Sequence, residues 1–256
     1  VGRRSPLATV ALLVIGLIFT GSAYALLSAT SSDSGAVAAS QASVEKGQKL
    51  FAANCATCHG MALEGTEAGP TLIGVGAAAV DFQVGTGRMP LQNTGPQAPE
   101  KPDQFTEEDV QALADYVASV APGPAQPEEQ YLDAGGDATR GAELFRINCA
   151  MCHNVAGAGG ALTEGKYAPE LRGTEAKHIY EAMVTGPQNM PVFNDANLTP
   201  EDKRDIITSL KFNDTNASPG GVQLGDLGPV AEGWFALIFG LGSIVALCVW
   251  LTARSN

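Results

Sequence analysis

The sequence predicts a mainly α protein: two small helical domains in tandem, set between an apolar stretch near each end. Three observations predict it. The middle of the chain repeats itself, with Lys46-Gly47-Gln48-Lys49-Leu50-Phe51 answered by Arg140-Gly141-Ala142-Glu143-Leu144-Phe145. In both copies Gly lies eight residues before the first Cys of a Cys-x-x-Cys-His run, and both copies close on a strong helix-start signal. Residues 7–27 and 233–253 are mostly apolar and uncharged, each long enough for the ~20 residues that cross a bilayer.

The elements follow in chain order. Residues 1–30 read as an N-terminal transmembrane anchor, or else as a signal segment cut after the small-residue run Ala23-Tyr24-Ala25. A Ser- and Ala-rich linker, 31–43, leads to the first domain, 44–121. Its closing helix starts at Thr106, an N-cap with Asp109 three residues later, and continues with Val110, Leu113 and Val117 at helical spacing. Residues 122–136, with Pro and Gly early and acids after, form an interdomain linker whose composition gives reach more than rigidity. The second domain, 137–218, repeats the pattern: Thr199 caps, Pro200 takes the first helical position, Asp202 completes the box, and Ile206, Ile207 and Leu210 follow. A Gly/Pro-rich connector, 219–232, leads to a C-terminal transmembrane helix, 233–253, with Trp234 and Trp250 near its ends. Arg3, Arg4 and Arg254 place both termini in the cytoplasm, and so the middle of the chain outside.

Cysteine usage points to the chemistry. Four of the five cysteines lie in Cys55-Ala56-Thr57-Cys58-His59 and Cys149-Ala150-Met151-Cys152-His153; the fifth, Cys248, lies in the C-terminal apolar segment. Cys-x-x-Cys followed at once by His is the attachment pattern of c-type haem. Two cysteines three apart on one helical turn face the same way to bond both vinyl groups, and the next residue, His59 or His153, is directed at the iron. Two covalently bound haems c are therefore expected. A zinc site shared by the two motifs is the alternative, and it leaves the methionines unexplained.

The sixth iron ligand must come from elsewhere. Met61 and Met151 are too close to their motifs to reach around the ring. Met89 in Gly87-Arg88-Met89-Pro90 and Met190 in Gln188-Asn189-Met190-Pro191 recur in register, each before the closing helix. Met183 and His178 have no counterpart, since alignment of Val84 with Val184 sets them opposite Gln83 and Ala78. Met89 and Met190 are the paired candidates; Met183 reads as core and His178 as a surface or helix residue. His/Met ligation raises the reduction potential and fills the coordination sphere, which favours outer-sphere electron transfer. Gly69-Pro70-Thr71-Leu72 and Ala168-Pro169-Glu170-Leu171 occur between His and Met in the two copies. A carbonyl at such a proline can accept the ring N–H of the ligating histidine.

The net charge of −12 argues against nucleic acid and anionic membrane surfaces as partners. It is uneven: residues 42–121 carry −6 and residues 137–219 carry −3. Such a surface steers docking to basic partners, or simply keeps the domains soluble.

Each copy resembles a monohaem class I cytochrome c domain, with Gly-x-x-Leu-Phe, Cys-x-x-Cys-His, Pro-x-Leu and Met-Pro in that order. The whole arrangement is similar to the dihaem cytochrome c subunit of actinobacterial cytochrome bcc, or quinol–cytochrome c reductase, complexes. Matching stretches include Pro70-Thr71-Leu72-Ile73-Gly74-Val75-Gly76, Gly165-Lys166-Tyr167-Ala168-Pro169 and Thr185-Gly186-Pro187-Gln188-Asn189-Met190-Pro191. The resemblance implies a subunit that takes electrons from a Rieske iron–sulfur protein and passes them to the CuA centre of a haem–copper oxidase. It implies cytochrome b, the Rieske protein and oxidase subunits as neighbours, and no substrate chemistry beyond electron transfer. One departure is Ser209, where the first copy has Tyr116. The competing classes are a dihaem peroxidase, which needs an open iron position, and the cytochrome subunit of a periplasmic dehydrogenase, which needs a substrate-oxidising partner.

Overall fold

A computed structural model describes residues 10, 12–22, 39–93, 95–215 and 229–254. The chain divides into two units, Val1–Ala39 and Ser40–Asn256. In the first, α1 (Leu12–Ser22) is an apolar helix shorter than a bilayer span; the rest of the expected anchor, 1–30, and most of the linker after it lie outside the described residues.

The second unit holds both copies of the repeat. In the first, α2 (Gln41–Asn54) runs into the one-turn α3 (Ala56–His59), followed by α4 (Gly76–Gly85) and the closing α5 (Glu107–Val120). The second has α6 (Ala138–Asn148), the one-turn α7 (Ala150–His153), α8 (Ala176–Thr185) and the closing α9 (Pro200–Thr215). A two-stranded hairpin, β1 (Gly160–Ala161) with β2 (Tyr167–Ala168), pairs Gly160 with Ala168.

The helix starts have the expected chemistry. Thr106 accepts from the Asp109 N–H while the Asp109 carboxylate accepts from the Thr106 N–H, and Thr199 with Asp202 repeats the exchange. Ser40 caps α2 and Asp137 caps α6.

Opening and closing helices cross at a glycine in each copy. A Cβ on Gly47 would stand 1.9 Å from the Ala112 carbonyl oxygen, and one on Gly141 would stand 1.8 Å from that of Asp205. Only a residue without a side chain lets the backbones approach so closely, which explains the invariant spacing of Gly from Cys in the repeat. Around the first crossing Phe51, Val110, Leu113 and Val117 build one core; around the second Phe145, Ile206, Ile207 and Leu210 build another.

The copies differ where the sequences do. Phe51 packs on Tyr116 with ring centroids 5.4 Å apart. Ser209 offers Phe145 no such partner, and the second copy instead stacks Tyr131 on Tyr180 at 6.2 Å. At the position of Val110 the second copy has Lys203, fully buried, with its ammonium donating to Asp195 Oδ1 and the Leu198 carbonyl, both at 2.6 Å.

Between motif and closing helix each copy has one further helix, α4 or α8. They pack against each other and join the two copies. The linker is no free tether. The Pro124 carbonyl accepts from the Ala78 N–H at 3.1 Å, Gln126 bonds Asp81 and Gln111, and Asp133 pairs with Arg204 at 2.6 Å. Residues 122–136 are thus laid along both copies, held by side chains that composition alone does not weigh.

At the C-terminal end α10 (Pro229–Phe235), a π-helical turn (Ala236–Leu241) and α11 (Gly242–Arg254) form one continuous helical run. Its stretch Glu232–Arg254, 23 residues, is long and apolar enough to cross a membrane, and its side chains are exposed. Most of the expected connector, 219–232, lies outside the described residues.

Candidate functional site

Each Cys-x-x-Cys-His run sits on a single helical turn set at the end of the opening helix. Cys55 and Cys149 cap α2 and α6, their N–H groups donating to the carbonyls of Phe51 and Phe145. α3 and α7 then bring the second cysteine and the histidine round. None of the four motif cysteines is in a disulfide. Burial, and then the neighbouring Cys58, pushes the Cys55 thiol up to about 11; burial, and then Cys152, does the same to Cys149, also to about 11. Burial of this kind keeps Cys55 and Cys149 from ionising on their own.

The histidines are oriented as the prolines foretold. His59 Nδ1 lies 2.7 Å from the Pro70 carbonyl and His153 Nδ1 lies 2.9 Å from that of Pro169. With Nδ1–H donating to a carbonyl, Nε2 keeps the lone pair that a metal needs. Burial lowers the His153 pKa, only partly opposed by the Pro169 hydrogen bond, which favours the neutral ring.

Met89 and Met190 are half-buried, one packed against each core cluster, as Cys55 is in the first copy, while Cys149 belongs to the second cluster itself. The Met89 N–H donates to the Gln83 carbonyl at 2.8 Å, and the Met190 N–H to that of Pro187 at 3.0 Å. Met61 and Met151 point into solvent, 68% and 94% exposed. Met183 is buried in the second core, and His178 stands on α8 in the seam between the copies.

Two lysines that sequence reading passed over hold the methionine loops. Lys101 donates to the Arg88 and Pro90 carbonyls, each at 3.0 Å, and so brackets Met89. Lys203 ties down residues 195–198, just beyond Met190. Lys166 reaches Asn189 at 3.0 Å. A cue for Lys203 existed: it is a charged residue at a position that the repeat makes apolar.

The donor sets fit haem c. Each copy offers two thiols able to add across vinyl groups, an imidazole fixed through Nδ1, and a thioether in a restrained loop. The bound haem supplies a one-electron iron couple.

Comparison with known proteins agrees. The cytochrome c family matches residues 44–121, and the family described as cytochrome c oxidase, cbb3-type, subunit III matches residues 136–208. The cytochrome bc1 complex cytochrome c subunit of Corynebacterium efficiens is 45% identical over 231 residues, covering 84% of this chain and 78% of the relative. The subunit of the same name from Mycobacterium tuberculosis is 43% identical, covering 95% and 90%; that of Mycobacterium leprae is 41% identical, covering 95% and 87%. The chain belongs to this family. It is a cytochrome c subunit of the bc1-complex type, a haem-binding electron carrier with two cytochrome c domains. Within the cbb3-like second domain, the carbonyl of Pro169 and the ring of His153 reproduce the geometry of Pro70 and His59 in the first.

Proposed function

We propose that this cytochrome c subunit holds two haems c, one on Cys55, Cys58 and His59 with Met89 as the second axial ligand, the other on Cys149, Cys152 and His153 with Met190. The observation that carries this reading is the duplicated pairing of a motif histidine with a proline carbonyl, joined in each copy to a Met-Pro loop on the same core. The domains that carry these sites are taken as 44–121 and 137–218.

The subunit relays electrons from the Rieske iron–sulfur protein of a quinol-oxidising complex to the CuA centre of a haem–copper oxidase in the respiratory chain. It works within a proton-translocating oxidoreductase, beside cytochrome b and the oxidase subunits. Its anchors are two helices, with both termini cytoplasmic and the haem domains outside. Family membership, the candidate span Glu232–Arg254 and the paired donor sets support this reading over a peroxidase, since a methionine is on hand at both irons.

Mild detergent extraction, with the copurifying subunits identified by mass spectrometry, tests the partners. Acid–acetone extraction with a pyridine haemochrome count tests the cofactors. Rieske, cytochrome b and oxidase subunits with two covalent haems per chain are expected. A single haem, haem lost to the organic phase, or a flavin dehydrogenase as the companion would overturn the reading.

A further inference from the structure

The seam between the two cytochrome c domains contains a buried polar cluster that electron transfer does not require. Asp81 on α4 is 1% exposed, Glu181 on α8 is fully buried, and His178 stands one turn before Glu181 on the same helix. One Asp81 oxygen, Oδ2, is taken by Lys177 at 3.0 Å and by Gln126. The other, Oδ1, has no hydrogen-bond partner, and neither has His178 Nε2, 4.0 Å from it, nor either oxygen of Glu181. Buried polar atoms left without partners are destabilising, and more so when charged. Such a cluster calls for an occupant, either a proton on Glu181 that is donated to Asp81 or a cation.

The geometry around them is that of a cradle. One ligand atom from each of Asp81, His178 and Glu181 lies within 4.8 Å of the others. Gly85 flanks the space: a Cβ there would lie 3.0 Å from His178 Nε2 and 3.3 Å from Asp81 Oδ1. The His178 ring is set edge-on to Phe82, centroids 6.2 Å apart. A cavity of about 440 Å³ opens beside Asp81 and His178, and Asp103, Glu107, Glu108 and Glu175 line it. Those carboxylates make an entry path that favours cations.

We propose that Asp81, His178 and Glu181 bind a divalent zinc ion that clamps the two cytochrome c domains together. One imidazole nitrogen and two carboxylate oxygens form a hard-to-borderline donor set, and a cavity water completes four-coordination. Zinc bonds of about 2.0–2.2 Å put tetrahedral ligands roughly 3.4 Å apart, so separations of up to 4.8 Å close by up to about 1.4 Å on loading. Lys177 and Gln126 keep Asp81 Oδ2, which supplies the outer hydrogen bonds that ligating carboxylates need. Because its ligands come from both domains, the ion would hold α4 against α8.

The test uses the intact membrane complex. After dialysis against a chelator it is loaded with zinc sulfate alone, washed, and its zinc counted by mass spectrometry relative to haem iron. Wild type is expected to retain one zinc per chain more than Glu181→Gln or His178→Ala, with at least tenfold tighter binding. The zinc K-edge spectrum should show one imidazole and oxygen ligands, and haem content should stay the same in all variants. Gly85→Ala changes no ligand and improves helix propensity, yet should also lose the ion because its methyl fills the cradle. The proposal is overturned if wild type and Glu181→Gln retain equal zinc. It is equally overturned if the infrared band of a protonated Glu181 carboxyl persists when zinc is added, for then a proton shared with Asp81 occupies the cluster.

Discussion

Gly47→Ala puts a single methyl into the crossing of α2 and α5. The new carbon would meet the Ala112 carbonyl oxygen at 1.9 Å, its carbon at 2.6 Å and Tyr116 Cβ at 2.8 Å. An ordinary contact needs at least 3.4 Å, so the helices must part by about 1.5 Å where they cross. The obstacle is backbone, which cannot swing aside as a side chain would. Overpacking of this kind costs about 1–3 kcal/mol, and a rigid neighbour puts the cost near the upper end. Against it stands a gain of about 1 kcal/mol from the better helix propensity of Ala. A net loss of about 2 kcal/mol is expected, from a total of about 4–12 kcal/mol for a domain of this size. Guanidinium unfolding of the solubilised chain, followed by Soret circular dichroism, should show the first domain melting earlier and the second unmoved. Gly141→Ala should do the reverse. Gln48→Ala, an exposed neighbour on the same helix, serves as the control. A loss below about 0.5 kcal/mol in both glycine variants would refute the close-crossing argument.

Other outcomes can be measured with the same material. Lys101→Met removes two charge-assisted hydrogen bonds around Met89, worth about 1.5–3 kcal/mol each less what water restores; the Met–ferric charge-transfer band should weaken for the first haem only. Met190→His should keep a low-spin haem but lower its midpoint by on the order of 0.1–0.3 V, well inside the roughly 0.8 V that axial ligands command. In chelator, burial and then the Asp81 charge hold the Glu181 carboxyl up to about 10. A folded pKa raised this way gives stability that is complete below the ordinary carboxylate range and lost as pH rises towards 10. The seam should therefore loosen between about pH 5 and 9, as read by hydrogen exchange of α4 and α8, and Glu181→Gln should flatten that dependence.

Much of the site was legible because its chemistry is local. Cys-x-x-Cys-His needs only one helical turn, and a Thr with Asp three residues on needs only one more. Pro70 and Pro169 were found by their recurrence between motif and methionine. The seam was not legible, for a physical reason. α4 reads Gly-Ala-Ala-Ala-Val-Asp-Phe-Gln-Val-Gly, apolar on nearly every side and opened by a glycine, because it is covered both by α5 and by α8. A helix buried on two faces has no polar stripe to betray its period. On α8 the polar residues Lys177, His178 and Glu181 face inward to the seam, so charge misreports exposure. Lys101 was silent because its acceptors are carbonyls, which no side-chain pattern encodes. The C-terminal span was plain from length alone, whereas the N-terminal stretch yields only the short α1 among the described residues.

The contact of α4 with α8 brings equivalent elements together. These are the same element of the two copies, and Asp81 and Glu181 hold the same place in the repeat when Val84 is set on Val184. They meet each other across the seam. Self-equivalent positions that touch are the mark of a two-fold axis, where one surface patch finds itself on its twin. The contact of α4 with α8 has the form that a homodimer interface would take, within one chain. A single chain relieves the pair of any dependence on concentration, since the second half is always at hand. It also lets the halves differ, as they do at Ser209, Lys203 and the His178–Ala78 mismatch.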